Sequence, residues 1–285
     1  LKSAVLQKLE KQLGTLTSAQ KQVADLILKK PTDAAFMTLD QIAAAAGTST
    51  TTVIRLAYSL GFRGFADFQR SLQELLRNRV APTLRLDTNL KNLSPSRLLV
   101  ECAKKQINNI KATTDFLSDE VLDKCVDLII AAPKIHIIGA RTSYSAAYFL
   151  YQQLNNITGK CHLLKAASHS IVETLIDITP DDLVIAISLP RYARSTVDLI
   201  KFIRQNQRPH VVVISDGYSV PLAAFADIIL PVAFGSLASH NSVIGSIFIC
   251  DYLITATSLR QPEQTKRRLE AAEALFQQLD YHLDK

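Results

Sequence analysis

The stretch that most limits how this chain can fold is residues 183–202, LVIAISLPRYARSTVDLIKF. Five uninterrupted apolar residues, Leu183–Ile187, are the pattern of a strand buried on both faces, which belongs to parallel sheets. Ser195 then reads as the N-cap of a helix carrying Val197, Leu199, Ile200 and Ile203 on one side. Between strand and helix, Ser188-Leu-Pro-Arg-Tyr-Ala-Arg194 sets two arginines and a tyrosine at the carboxyl end of the strand. Open α/β sheets bind ligands at that end, and the unpaired amides of the next helix start favour an anion. A small negatively charged ligand is expected on this loop, as substrate or as signal.

The same pattern repeats on either side. Apolar runs at 135–138, 161–164, 183–187, 211–214 and 228–231 alternate with amphipathic segments. Alternation of this kind predicts a doubly wound α/β domain with a parallel sheet of about five strands, spanning 94–285. Two further helices close it, at 239–257 and 262–279. Ahead of the first strand, Ser94-Pro95 opens a helix to about Phe116, with Leu98, Leu99, Cys102, Ile107 and Ile110 as its apolar stripe. A second amphipathic helix follows at 118–130. Whether these two pack on their own domain or form a subunit interface is open at this level. Residues 80–93 lack helical period and contain Pro82, which marks a linker.

Residues 1–79 read differently, as helices throughout. Segments 4–13 and 17–28 are amphipathic; Thr38-Leu-Asp-Gln41 is a capping box opening a short alanine-rich helix that Gly47 ends. Ser49 caps the next helix, Thr50 to Leu60, and Gly61 closes it. Two short helices joined by a tight glycine turn form a helix-turn-helix. Val53, Leu56, Ala57 and Leu60 make the inward face of the second helix, which leaves Ser49, Thr50, Thr51, Thr52, Arg55 and Tyr58 at its start and outer side. Hydroxyls followed by an arginine one turn later suit phosphate and base-edge contacts in a major groove. An ordinary solvated helix face has a similar look. Charge is concentrated here too: residues 1–80 hold 11 Lys and Arg against 6 Asp and Glu, and residues 81–285 hold 21 against 20. That asymmetry suits a nucleic-acid-facing module, although five extra charges also serve plain solubility.

Other classes are disfavoured. The four cysteines are far apart and the six histidines show no ligand spacing, so no metal site, no cofactor and reduced thiols are expected. No stretch reaches the roughly 18–20 apolar residues of a membrane span. The N-terminal stretch does not read as a signal segment, so a cytoplasmic location is expected.

Specific resemblances join the two halves. Leu60-Gly-Phe-Arg-Gly-Phe-Ala-Asp-Phe68, with 17–27, 39–46 and Gly47-Thr-Ser-Thr-Thr-Thr-Val-Ile-Arg55, closely resembles the helix-turn-helix of the RpiR family of bacterial transcriptional regulators. Phe62, Phe65 and Phe68 are then core residues. Gly139-Ala-Arg-Thr-Ser143 resembles the opening loop of the sugar isomerase (SIS) domain, Gly-x-Gly-Thr/Ser-Ser, with Arg141 in place of the second glycine. Residues 215–227 resemble its Ser-x-x-Ser-Pro-Leu-Ala … Ala-Asp segment. The loop after the third strand departs from Ser-x-Ser-Gly-x-Thr: Pro190, Arg191 and Ala193 replace serine, glycine and threonine. The resemblance implies an all-α helix-turn-helix domain followed by an SIS-like α/β domain. It also implies a double-stranded DNA operator as partner, a homodimer or homotetramer, and a small anionic effector, a sugar phosphate being the usual one. Ser143, Ser188 and Thr196 match ligand-contact positions, and Arg141, Thr142, Arg191, Arg194 and Ser195 complete the candidate effector set. An effector-relieved repressor with no catalytic residues is the expectation; a sugar-phosphate isomerase with an added helical module is the alternative, with Glu173, His169 and His240 as candidate bases that no motif assigns.

Overall fold

The computed structural model describes residues 8–9, 12–29, 34, 37–69, 71–72, 95–165, 171–218 and 220–281. The chain divides into two compact units, Leu1–Asp87 and Thr88–Lys285. The linker expected at 80–93, most of the helix expected at 4–13 and His169 lie outside the described residues.

In the first unit, α1 (Ser18–Lys29), α2 (Leu39–Ala45) and α3 (Thr50–Ser59) each start where a side chain satisfies a first-turn amide. Thr17 gives its N–H to Gln20 Oε1 at 3.0 Å. At α2 the capping box is complete: Thr38 N–H donates to Gln41 Oε1 at 2.8 Å, and Gln41 N–H returns to Thr38 Oγ1 at 3.2 Å. Gly47, at φ 63°, adopts the left-handed conformation that ends α2. Ser49 Oγ then accepts the Thr52 N–H at 3.3 Å, which starts α3. Val23, Ile27, Ile42, Ala43, Val53, Leu56, Ala57, Leu60 and Phe68 close one core. The larger aliphatic side chains among them contribute about 1.5–3 kcal/mol each. Phe62 packs on Phe68 with ring centroids 5.2 Å apart, so these phenylalanines pin the chain after α3, as expected.

The second unit is a five-stranded, all-parallel sheet: β1 (Ile135–Gly139), β2 (Cys161–Leu164), β3 (Leu183–Ile187), β4 (His210–Ser215) and β5 (Ile228–Pro231), in the order β2-β1-β3-β4-β5. Helices α4 (Leu98–Asp115), α5 (Asp119–Ala131), α6 (Ser143–Thr158), α7 (Ile171–Ile176), α8 (Arg194–Asn206), α9 (Ile244–Arg260) and α10 (Pro262–Gln278) surround it. The five residues of β1 and of β3 are all buried. Ile135, Ile137, Leu183, Ile185 and Ile187 point to a core shared with α5, α6 and α9. Val184 and Ala186 point to a second core with Ile200 and Ile203 of α8. A strand between two such layers has no solvent face, which is why its sequence runs apolar without alternation.

Three local expectations give way to long-range bonds. Pro95 opens a 3-10 turn, Pro95–Arg97, and α4 begins only at Leu98. The last-but-one helix begins at Ile244 instead of 239, because 239–243 is held elsewhere. Ser242 N–H bonds Phe234 O at 3.0 Å, and Asn241 Nδ2 bonds Pro190 O at 2.9 Å. Ser195 is not an N-cap: Ala193 O takes the N–H groups of Thr196 and Val197, so α8 starts at Arg194 and Ser195 lies inside its first turn.

Helix α4, whose packing the sequence left open, docks through polar side chains. Its buried residues are the polar Asn109 and Thr113. Asn109 Nδ2 donates to Gly235 O at 2.7 Å, Gly235 N–H donates to Asn109 Oδ1 at 3.1 Å, and Ala233 N–H donates to Thr113 Oγ1 at 2.9 Å. These side chains pair with residues 233–235 as a neighbouring strand would. Leu99 and Ile107 of the expected stripe stay 83% and 51% exposed.

Candidate functional site

The order β2-β1-β3-β4-β5 reverses direction between β1 and β3, which is the topological switch point where doubly wound sheets bind ligands. Gly139 and Ile187 lie side by side at the carboxyl ends of those strands. The loops that follow, 140–142 and 188–193, therefore leave from adjacent points. They are joined by Leu189 N–H donating to Ser143 Oγ at 3.3 Å. That bond uses a lone pair of Ser143 and leaves its hydroxyl proton to give. Gly139 is needed at the bend, since a Cβ there would come within 2.6 Å of Ser143 O.

Ser143, Ser188 and Thr196 are all buried beside this crevice. Thr196 is 1% exposed and its Oγ1 has no hydrogen-bond partner. A buried hydroxyl left without a partner costs free energy of about 1–3 kcal/mol, so this position favours an added hydrogen-bonding group. It lies in the first turn of α8, at the positive end of the helix dipole, where the N–H groups of Thr196 and Val197 already go to Ala193 O. At the first turn of α6, Ser143 and Tyr144 likewise give their N–H groups to Ala140 O and Arg141 O at 3.1 Å.

The exposed members of the predicted set divide into two groups. Arg194 reaches Asp198 at 3.3 Å along its own helix, and Thr142 and Ser195 are exposed to solvent. Arg141 and Arg191 are exposed and form no salt bridge among the described residues. Both hold left-handed backbone, φ 56° and 66°, at positions where the SIS pattern has glycine. A side chain there costs about 1–2 kcal/mol relative to right-handed backbone.

Tyr192 does not lie open as a platform. Its hydroxyl donates to Asp216 Oδ1 at 2.7 Å, tying the loop after β3 to the loop after β4. Ser215 Oγ donates to Ser188 O on the same side. Together with the Asn241–Pro190 bond, these hold the crevice from behind. Asn241, Ser215 and Asp216 carry no motif signal. Only the position of Ser215 in the third SIS-like segment pointed toward them. Of the candidate bases, Glu173 is exposed on the short α7 and His240 is exposed beside Asn241. Burial pushes the Cys125 thiol up to about 12 and the Cys161 thiol up to about 11, and raises Cys250 as well. Among the described residues no group of His, Cys, Asp and Glu is placed to hold a metal ion, and no helix is long and apolar enough to cross a membrane.

In the first unit, Val53, Leu56 and Ala57 of α3 are buried, while Ser49, Thr51, Arg55 and Tyr58 are exposed and Thr50 and Thr52 half-buried. Thr51, Arg55 and Tyr58 follow one another at helical spacing and form one outward stripe. Ser49 and Thr52 cap the helix start, with their hydroxyls 3.0 Å apart.

Family models match both units. Residues 3–79 match the helix-turn-helix domain of the rpiR family and residues 128–256 match the SIS domain, together more than two thirds of the chain. The transcriptional regulator YbbH of Bacillus subtilis is 26% identical over 275 residues, 93% of this chain and 94% of its own length. The sugar isomerase domain of an RpiR transcription factor from Sphaerobacter thermophilus, 25% identical, superposes with a TM-score of 0.60 over 62% of this chain and 99% of that one. The Vibrio vulnificus NanR protein complexed with ManNAc-6P, 20% identical, superposes with a TM-score of 0.59 over 95% of this chain and 98% of that one. With a helix-turn-helix in one unit and a switch-point crevice in the other, the chain belongs to the RpiR family of helix-turn-helix transcriptional regulators that carry an SIS domain.

Proposed function

We propose that this regulator binds a double-stranded operator through α3 and releases it when a small anionic metabolite, a sugar phosphate in its general class, enters the crevice between β1 and β3. The observation that carries the effector half is Thr196: a buried hydroxyl without a partner, beside Ser143, Ser188 and the amides that open α8. A phosphate group offers several acceptor oxygens to hydroxyls of this kind at the positive end of a helix. NanR, a fold neighbour, was determined with a phosphorylated sugar. For the DNA half, Thr51, Arg55 and Tyr58 on the outer stripe are the base- and phosphate-reaching groups, and Ser49, Thr50 and Thr52 set the helix start against the backbone. The protein works as a homodimer or homotetramer, with 80–93 connecting its DNA-binding and effector domains. We read it as a sensor: among the described residues, the buried polar side chains Ser143, Ser188 and Thr196 at the crevice carry hydroxyls, which bind an anion but do not move a carbon-bound proton.

Binding is tested by selecting operator DNA with the protein and measuring gel shifts at several salt concentrations, with and without sugar phosphates. A salt-dependent, sequence-specific complex that weakens on adding one of them is expected. Arg55→Ala should lower specific affinity by roughly 10–100-fold, the value of one bidentate base contact. Unchanged affinity removes Arg55 from the reading face. Isomerase turnover without DNA binding would reverse the assignment.

A further inference from the structure

Among the described residues, four that are not glycine hold left-handed backbone: Arg141, Arg191, Arg208 and Asp280. Arg208 and Asp280 follow the ends of α8 and α10, where left-handed residues routinely terminate helices. Arg141 and Arg191 do not. Each sits in a loop between a strand and the start of a helix, and the two loops are the pair that flanks the switch point. Glycine relieves such backbone, and here both positions carry a long cationic side chain instead. Strain retained on both sides of a single crevice points to use of the side chains.

The charges themselves are unspent. Arg194 meets Asp198. The nearby Asp216 carboxylate takes the Tyr192 hydroxyl. Arg141 and Arg191 form no salt bridge among the described residues. The proposed phosphate cradle already consists of the Ser143, Ser188 and Thr196 hydroxyls at the start of α8, where Thr196 Oγ1 is buried without a partner. Two further guanidinium groups exceed what one phosphate on a neutral sugar needs. A guanidinium pairs best with a planar carboxylate, through two parallel N–H···O bonds.

We propose that Arg141 and Arg191 form a second anion subsite at this crevice and that the effector is a phosphorylated sugar acid, its phosphate in the hydroxyl cradle and its carboxylate between the arginines. The proposal rests on the effector reading above. It names these two arginines, and not Arg194, as the residues that set ligand specificity.

The test uses the full chain and matched probes: glucose 6-phosphate, 6-phosphogluconate, fructose 1,6-bisphosphate, unphosphorylated gluconate and inorganic phosphate, titrated by calorimetry. The unmodified protein should bind 6-phosphogluconate at least about tenfold more tightly than glucose 6-phosphate, the value of one added charge-assisted pair. The double variant Arg141→Gly with Arg191→Gly suits the backbone at both sites and should bring that ratio close to one. Equal affinities in the unmodified protein, or a ratio that survives in the variant, overturn the second subsite while leaving the phosphate cradle standing. Tighter binding of fructose 1,6-bisphosphate than of 6-phosphogluconate overturns the carboxylate assignment. If no phosphorylated probe binds, the effector site itself is wrong and the proposal falls with it. Should the double variant not fold, Arg141→Lys and Arg191→Lys singly must each lower the ratio, since lysine keeps the charge and loses the bidentate fork.

Discussion

His136 occupies the second position of β1, its ring stacked on His162 of β2 with centroids 5.4 Å apart and its Nε2 3.4 Å from Asp182 Oδ2. Burial holds its pKa below the ordinary imidazole value, and Asp182 opposes that shift only in part. The unfolded chain therefore takes up a proton near the usual value of about 6.5 while the folded chain still resists it. Stability is fully present above that pH and falls as pH drops toward the folded value. Melting temperature should decline from pH 7 to pH 5, and His136→Gln should flatten the decline; an unchanged slope would place the acid sensitivity elsewhere. Gly139→Ala should destabilise by about 1–3 kcal/mol, because the added Cβ meets a backbone carbonyl that cannot swing aside. Denaturant titration reads this directly. At this scale much of the candidate site was legible, because Ser143, Ser188 and Thr196 fall where a known loop pattern puts hydroxyls. Asn241 was not, because its partner Pro190 is 51 positions away and an Asn-Ser pair by itself looks like any turn.

Helix starts show where local information suffices. The caps at Thr38 and Ser49 were readable because donor and acceptor lie three residues apart. Ser49→Ala should cost about 1 kcal/mol of stability and loosen the start of α3, detectable as faster amide exchange at Thr52. Ser195 misled for an equally physical reason. A serine ahead of an apolar helical face is a good N-cap, but Ala193 takes up the extended conformation first and α8 starts a turn position earlier. The face of α4 also depended on distant chain. Its stripe of leucine and isoleucine left open whether it packs on its own domain or on a partner, whereas Asn109 and Thr113 bond 233–235 across 126 and 120 residues. Asn109→Leu should destabilise the second unit by about 1–3 kcal/mol, since Gly235 N–H and Gly235 O lose their partner together. A stability equal to the parent would mean α4 is held by its apolar contacts instead.

At the scale of the whole molecule, the exposed Leu99 and Ile107 bear on assembly. If they meet a second copy, as the proposed homo-oligomer requires, Leu99→Asp with Ile107→Asp should lower the sedimenting mass to that of one chain. An unchanged mass would put the interface on another surface. The sequence by itself determined the two-part organisation of helices followed by a strand-helix alternation, the parallel class of the sheet and the hydroxyl-rich loops. Each of these follows from residues within a turn or a strand length of one another: an apolar period, a capping pair, an uninterrupted buried run. Tertiary structure alone decided the strand order β2-β1-β3-β4-β5, which brings the loops after β1 and β3 to one crevice. It also decided the inward face of α4, the late start of α9 and the partnerless state of Thr196. These depend on which distant backbone groups find partners, and hydrogen bonds that span 50 to 126 residues leave no period in the sequence to read.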